Sequence, residues 1–173
     1  MKLYRAAVPA AAITLAVLLS GCTPIADVEP AADAGNPDCA EVMVSLPSEL
    51  AGVQQRETDS QATAAWGDPS QVILRCGVPV PGPTTEQCAT VNGIDWILTE
   101  QEAGDGETDA AGQDTGLSTW TATTYGREPA IELVFDPEQI SSSTILVQLE
   151  NAVSRIEPTR ECVASNDLEL PAS

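Results

Sequence analysis

The sequence predicts an α+β domain: an antiparallel sheet of about four strands, covered by an N-terminal and a C-terminal helix and held by two disulfides. Three observations point there. Segments with strand alternation recur between residues 71 and 135, helical periodicity is confined to the two ends, and four of the five cysteines, Cys39 to Cys162, span both. The chain is 43% hydrophobic but only 3% aromatic, so its core must be built mainly from Val, Ile, Leu and Ala.

The first helix is expected from Cys39 to Ser45, because Asp38-Cys39-Ala40-Glu41 resembles a capping box and Pro47 stops it. Gly52–Ser60 is polar, and Ala62–Trp66 reads as one more helical turn before Gly67-Asp68-Pro69. Strands are then expected at Gln71–Cys76, Val91–Thr99, Leu117–Tyr125 and Ala130–Phe135. In the first, Val72, Leu74 and Cys76 share one face, opposite Ile73 and Arg75. In the last, Ile131, Leu133 and Phe135 alternate with Glu132 and Val134. Residues Ser143–Ile156 fit a closing helix with Leu146, Leu149, Val153 and Ile156 on one stripe, although the run STILVQL also alternates as a strand would.

The N-terminus carries an address. Lys2 and Arg5 precede an uncharged run from Ala6 to Gly21, shorter than the roughly 20 apolar residues that span a bilayer. Leu19-Ser20-Gly21-Cys22 resembles a bacterial lipobox, so cleavage between Gly21 and Cys22 and acylation of Cys22 are expected. The thiol would take diacylglycerol through a thioether, and two or three acyl chains, unlike one, anchor a protein stably. Residues 1–21 thus read as a lipoprotein signal peptide, 22–37 as a flexible tether, 38–165 as one domain and 166–173 as a tail. The expected location is the extracytoplasmic face of the cell membrane. Without residues 1–21 the chain keeps five basic groups, all Arg, against 26 acidic ones, a net charge of −21. Nothing so acidic displaces phosphate counterions, which excludes nucleic acid as a partner.

Cys39, Cys76, Cys88 and Cys162 form an even set in an exported chain and read as two disulfides with three possible connectivities. The favoured pairing is Cys76–Cys88, around the loop GVPVPGPTTEQ, with Cys39–Cys162 joining the domain's ends.

Missing residue types limit the chemistry. With no His anywhere and no Lys after residue 21, Ser-His-Asp, Cys-His, Ser-Lys and Schiff-base catalysis are excluded. No phosphate-cradling Gly-rich loop is present, so no cofactor is expected, and without CxxC or His no metal is. A carboxylate-dependent glycan hydrolase is the enzymatic alternative, drawing on Asp68, Asp95 or Glu132. The acidic loop at 99–116 places Asp105, Glu107 and Asp109 at calcium-loop spacing, but Ala110 and Gly116 stand where Gly and Glu are required. It reads as a solvated loop. Arg75 and Arg127 are candidates to grip an acidic ligand, with an internal ion pair as the competing role for each. Trp66 and Trp96 are candidate stacking surfaces, with the core as the competing role.

WGDPSQVILRCGVP (Trp66–Pro79), CATVNGIDW (Cys88–Trp96) and TATTYGREPAIELVFDP (Thr121–Pro137) together resemble the actinobacterial domain of unknown function 3515 (DUF3515), a family of small exported proteins and lipoproteins. The resemblance runs from about Cys39 to Cys162 and rests on Arg75-Cys76-Gly77, Asn92-Gly93 and Gly126-Arg127. It implies a cell-envelope setting and no reaction. The combined expectation is a non-enzymatic, lipid-anchored module that binds another envelope component, protein or glycan, or serves in assembly.

Overall fold

In the computed structural model, residues 25–101 and 119–162 are described. The elements are α1 (Pro37–Val44), β1 (Glu49–Leu50), β2 (Val53–Arg56), β3 (Thr63–Trp66), β4 (Val72–Val78), β5 (Gln87–Val91), β6 (Ile94–Gln101), β7 (Thr119–Thr124), β8 (Ala130–Phe135), α2 (Ser142–Gln148) and α3 (Glu150–Val153). All eight strands form one antiparallel sheet in the order β1-β2-β3-β4-β8-β7-β6-β5. It consists of two four-stranded meanders, β1–β4 and β5–β8, joined where β4 meets β8 in the register Leu74↔Leu133.

The expected α+β domain with about four strands is corrected to this eight-stranded sheet with, among the described residues, three short helices. The extra strands were hidden for separate physical reasons. β2 is a half-exposed strand beside the two-residue edge strand β1, and its Gln54 and Gln55 leave no apolar alternation to read. β3, expected as a helical turn, is Ala-rich, and its strand state is dictated by pairing to β2 and β4 rather than by propensity. The expected strand Val91–Thr99 is two: Asn92 (φ 51°) and Gly93 (φ 78°) both take left-handed backbone and turn β5 into β6.

Sheet alternation decides what is buried. Trp66, Val72, Leu74, Cys76, Ile94, Trp96, Ile131, Leu133 and Phe135 point to one face, covered by Val42 of α1 and by Ile145, Leu146, Leu149, Val153 and Ile156. The C-terminal stripe is therefore buried as the periodicity requires, but the expected single helix Ser143–Ile156 is interrupted at Leu149, which caps α2 and opens α3. Helix α1 starts earlier than expected. Asn36, not Asp38, is its cap, accepting from the Asp38 N–H at 3.1 Å, with Pro37 in the first turn.

The opposite face holds a second correction. Residues 22–37 were expected as a free tether, yet from Ile25 onward the described part is bound to the sheet. Ala26 N donates to Glu57 O (2.9 Å), Asp59 N donates to Ala26 O (3.2 Å), and Val28 N donates to the Asp59 carboxylate (3.0 Å). Ser60 Oγ donates to Val28 O, and Asp33 N donates to Gly77 O at 3.0 Å. Ala26 and Val28 pack on Ala65, Ile73 and Val134 as a small separate core. This explains why all four residues of β3 are buried: helices and core cover Ala64 and Trp66, and the strap covers Ala65.

The disulfides are Cys39–Cys76 and Cys88–Cys162, with Cα–Cα distances of 5.8 and 6.4 Å, which replaces the favoured pairing. Cys76 faces the core under α1, where Cys39 lies. Cys88 is on edge strand β5, four inter-strand steps from β4. That is about 19 Å at about 4.8 Å per step, far beyond the roughly 7 Å that a disulfide tolerates.

Candidate functional site

The Gly126–Pro129 turn between β7 and β8 meets the C-terminal segment after α3. Gly126 (φ 72°) lets the chains touch: a β-carbon there would overlap the Arg160 carbonyl. Thr159 N–H (2.6 Å) and Oγ (2.8 Å) both donate to Gly126 O, and Arg127 forms a β-bridge with Pro158. Between this junction, the Asn92-Gly93 turn and the Cys88–Cys162 disulfide lies a cleft of about 250 Å³, lined by Thr90, Asp95, Tyr125, Arg127, Arg160 and Cys162, among others.

Arg127 forms the cleft's floor and is only 4% exposed. One guanidinium nitrogen donates to Ile156 O and another to Gly93 O at 3.4 Å, while Nε has no hydrogen-bond partner among the described residues. Burial pushes its pKa below the ordinary guanidinium value, opposed by the fields of Glu157 and Asp95. Neither acid pairs with it directly. Asp95 instead accepts from Thr90 Oγ and, at 2.7 Å, from Cys162 N. Arg160 is exposed at the mouth, 5.5 Å over the Tyr125 ring, and donates to Pro81 O at 3.3 Å.

The other candidates are placed elsewhere. Arg75 pairs with Glu132, its cross-strand partner, through Nε at 3.0 Å and a second, shorter contact, so it is committed internally. Trp66 and Trp96 are fully buried and offer no stacking surface. Trp66 donates to Pro47 O at 3.1 Å; the Trp96 indole N–H has no partner among the described residues. Asp68, Asp95 and Glu132 do not assemble as a carboxylate pair. Strand β7 separates the strands of Asp95 and Glu132, and Asp68 sits beyond β3 in an ion pair with Arg56 at 3.3 Å.

Gly21 and Cys22, the acidic run at 102–118 and the tail at 166–173 lie outside the described residues. Among the described residues, no group of three or more metal-ligating side chains occurs, and no helix is long and apolar enough to cross a membrane. Sequence reasoning found Arg127 but missed Tyr125, Arg160 and the role of Asp95. Only the Cys88–Cys162 pairing would have shown that residues 157–162 return to β6 and β7.

The family described as protein of unknown function (DUF3515) matches residues 5–162. No curated protein and no solved structure matches the chain.

Proposed function

Since the chain belongs to the DUF3515 family, to which no reaction is attached, we propose from its residues and geometry that it is a lipid-anchored, extracytoplasmic envelope protein. It acts as a non-enzymatic binding or assembly module whose cleft takes an acidic group of its partner, an envelope protein or glycan. The anchor is the acylated Cys22 that the lipobox Leu19-Ser20-Gly21-Cys22 implies.

The observation that carries the binding role is the state of Arg127. Among the described residues, Arg56 and Arg75 both form ion pairs, yet the buried Arg127 has none. A buried cation held only by backbone carbonyls is costly, and a carboxylate or phosphate entering the cleft would offset that cost. Arg160 at the mouth would meet the same group first.

The binding test is titration of isotope-labelled protein with succinate and with inorganic phosphate, followed by amide chemical shifts. Shifts clustered at Gly93, Tyr125, Arg160 and Cys162, and weakened by Arg160→Ala, are expected. Shifts absent, or spread evenly over the surface, would overturn the binding role. The anchor is tested separately: Cys22→Ser protein should leave the membrane fraction, and its retention there would defeat the anchoring.

A further inference from the structure

The strap closes off the space in which a tether would act. Ala26 and Val28 are 6% and 1% exposed, and each is hydrogen-bonded to the β2–β3 connection at Glu57–Ser60. Among the described residues, hydrogen bonding to the sheet begins at Ala26, four residues after Cys22 in the chain. A fully extended chain advances at most about 3.3–3.6 Å per residue, so the Cys22 α-carbon lies within about 14 Å of Ala26. A free coil over residues 23–37 would instead have given a typical end-to-end distance of about 20 Å, with much longer excursions available.

We infer that the domain rests against the lipid headgroups at the β2–β3 connection, so that the bilayer surface is itself a contact partner of this edge of the sheet. The inference rests on acylation of Cys22. Acyl chains in the hydrocarbon core hold Cys22 at the interface, and the headgroup layer is only about 5–8 Å deep on each side. Ala26 and the adjoining Glu57–Gln61 turn are thus kept at the outer boundary of that layer. The surroundings are acidic: Asp27, Glu29, Glu57 and Asp59 are all exposed beside the entry point. Repulsion from anionic lipid cannot move the domain further than the contour length of the three residues between Cys22 and Ala26. Among the described residues, Ile25, 58% exposed, is the apolar side chain that stands nearest Cys22 in the chain.

The far side of the sheet is set apart by the same topology. β5 lies six inter-strand steps from β2, roughly 29 Å at about 4.8 Å per step. The loop just before β5, with the exposed Thr85, is therefore the distal marker, and the exposed Gln61 the proximal one.

The test uses full-length protein purified from membranes, its Cys22 acylation read by mass spectrometry, in phosphatidylcholine vesicles carrying a headgroup-attached energy acceptor. A donor dye is placed by Gln61→Cys or Thr85→Cys. Transfer from position 61 should exceed that from 85, and a 20-residue Gly/Ser spacer inserted between Pro24 and Ile25 should reduce it several-fold. Acylated protein in which position 61 transfers no better than 85, or is indifferent to the spacer, would overturn the inference while leaving the anchor intact. An unmodified Cys22 would defeat the anchor and the inference together.

Discussion

Gly77 and Asp33 touch backbone to backbone: Asp33 N donates to Gly77 O at 3.0 Å, Gly77 has φ 92°, and a β-carbon there would overlap the Asp33 carbonyl. Gly77→Ala must both strain its own backbone and displace the strap, which together cost about 2–4 kcal/mol. A lowered melting temperature, with new proteolytic cleavage between residues 25 and 36, is the expected result.

The disulfide pairing is checked by digestion without reduction. Arg-specific cleavage leaves Cys76 and Cys88 together in the peptide 76–127, while Cys39 and Cys162 fall in two others. All three peptides should stay linked. Further cleavage after Glu86 should separate them into one pair holding Cys39 and Cys76 and another holding Cys88 and Cys162. On the chain-entropy view each bond contributes about 4 kcal/mol, so Cys76→Ser or Cys88→Ser should lower stability by an amount of that order.

Arg75 and Arg160 should separate stability from binding. Arg75 sits in a partly exposed cross-strand ion pair with Glu132, so Arg75→Ala should cost about 1 kcal/mol after allowance for screening. It should leave the succinate and phosphate shifts unchanged. Arg160→Ala, at an exposed position over Tyr125, should do the reverse, with a near-normal melting curve and weakened shifts.

The two buried tryptophans should respond differently to replacement by phenylalanine. Trp66→Phe loses the bond to Pro47 O and leaves that carbonyl without its donor, so a loss of about 2–3 kcal/mol is expected. Trp96→Phe removes an indole N–H that has no partner among the described residues, which offsets part of the lost packing. Denaturant melts should show the smaller loss for Trp96→Phe.

Legibility in the sequence followed the strength of local signals. β8 was read at its observed bounds because Ile131, Leu133 and Phe135 alternate cleanly with Glu132 and Val134. The apolar stripe after residue 143 was read correctly, but the break at Leu149 leaves no local mark, since that residue is itself buried and helix-favouring. The strap carries no readable signal because Ala26 and Val28, set among Pro, Asp and Glu, make no period. Their burial is decided by Ala65 and Ile73, distant in the chain. The disulfides were countable but not pairable, because sequence separation does not say which strand stands at the sheet's edge. Arg127 was singled out as a scarce cation. Its cleft was not, because the opposite wall comes from residues 157–162.

The seam between β4 and β8 governs the order in which a chain emerging N-terminus first can be finished. The residues of the β1–β4 meander and of the Cys39–Cys76 bond are all present once residue 78 is out, before any of β5–β8 is made. The meander's inner edge, carrying Val72, Ile73 and Leu74, then stays open until β8 arrives at residues 130–135. During that interval the nascent half-sheet is a sticky template, and the sealing strand is the last one made. The second covalent lock, at Cys162, closes only behind it.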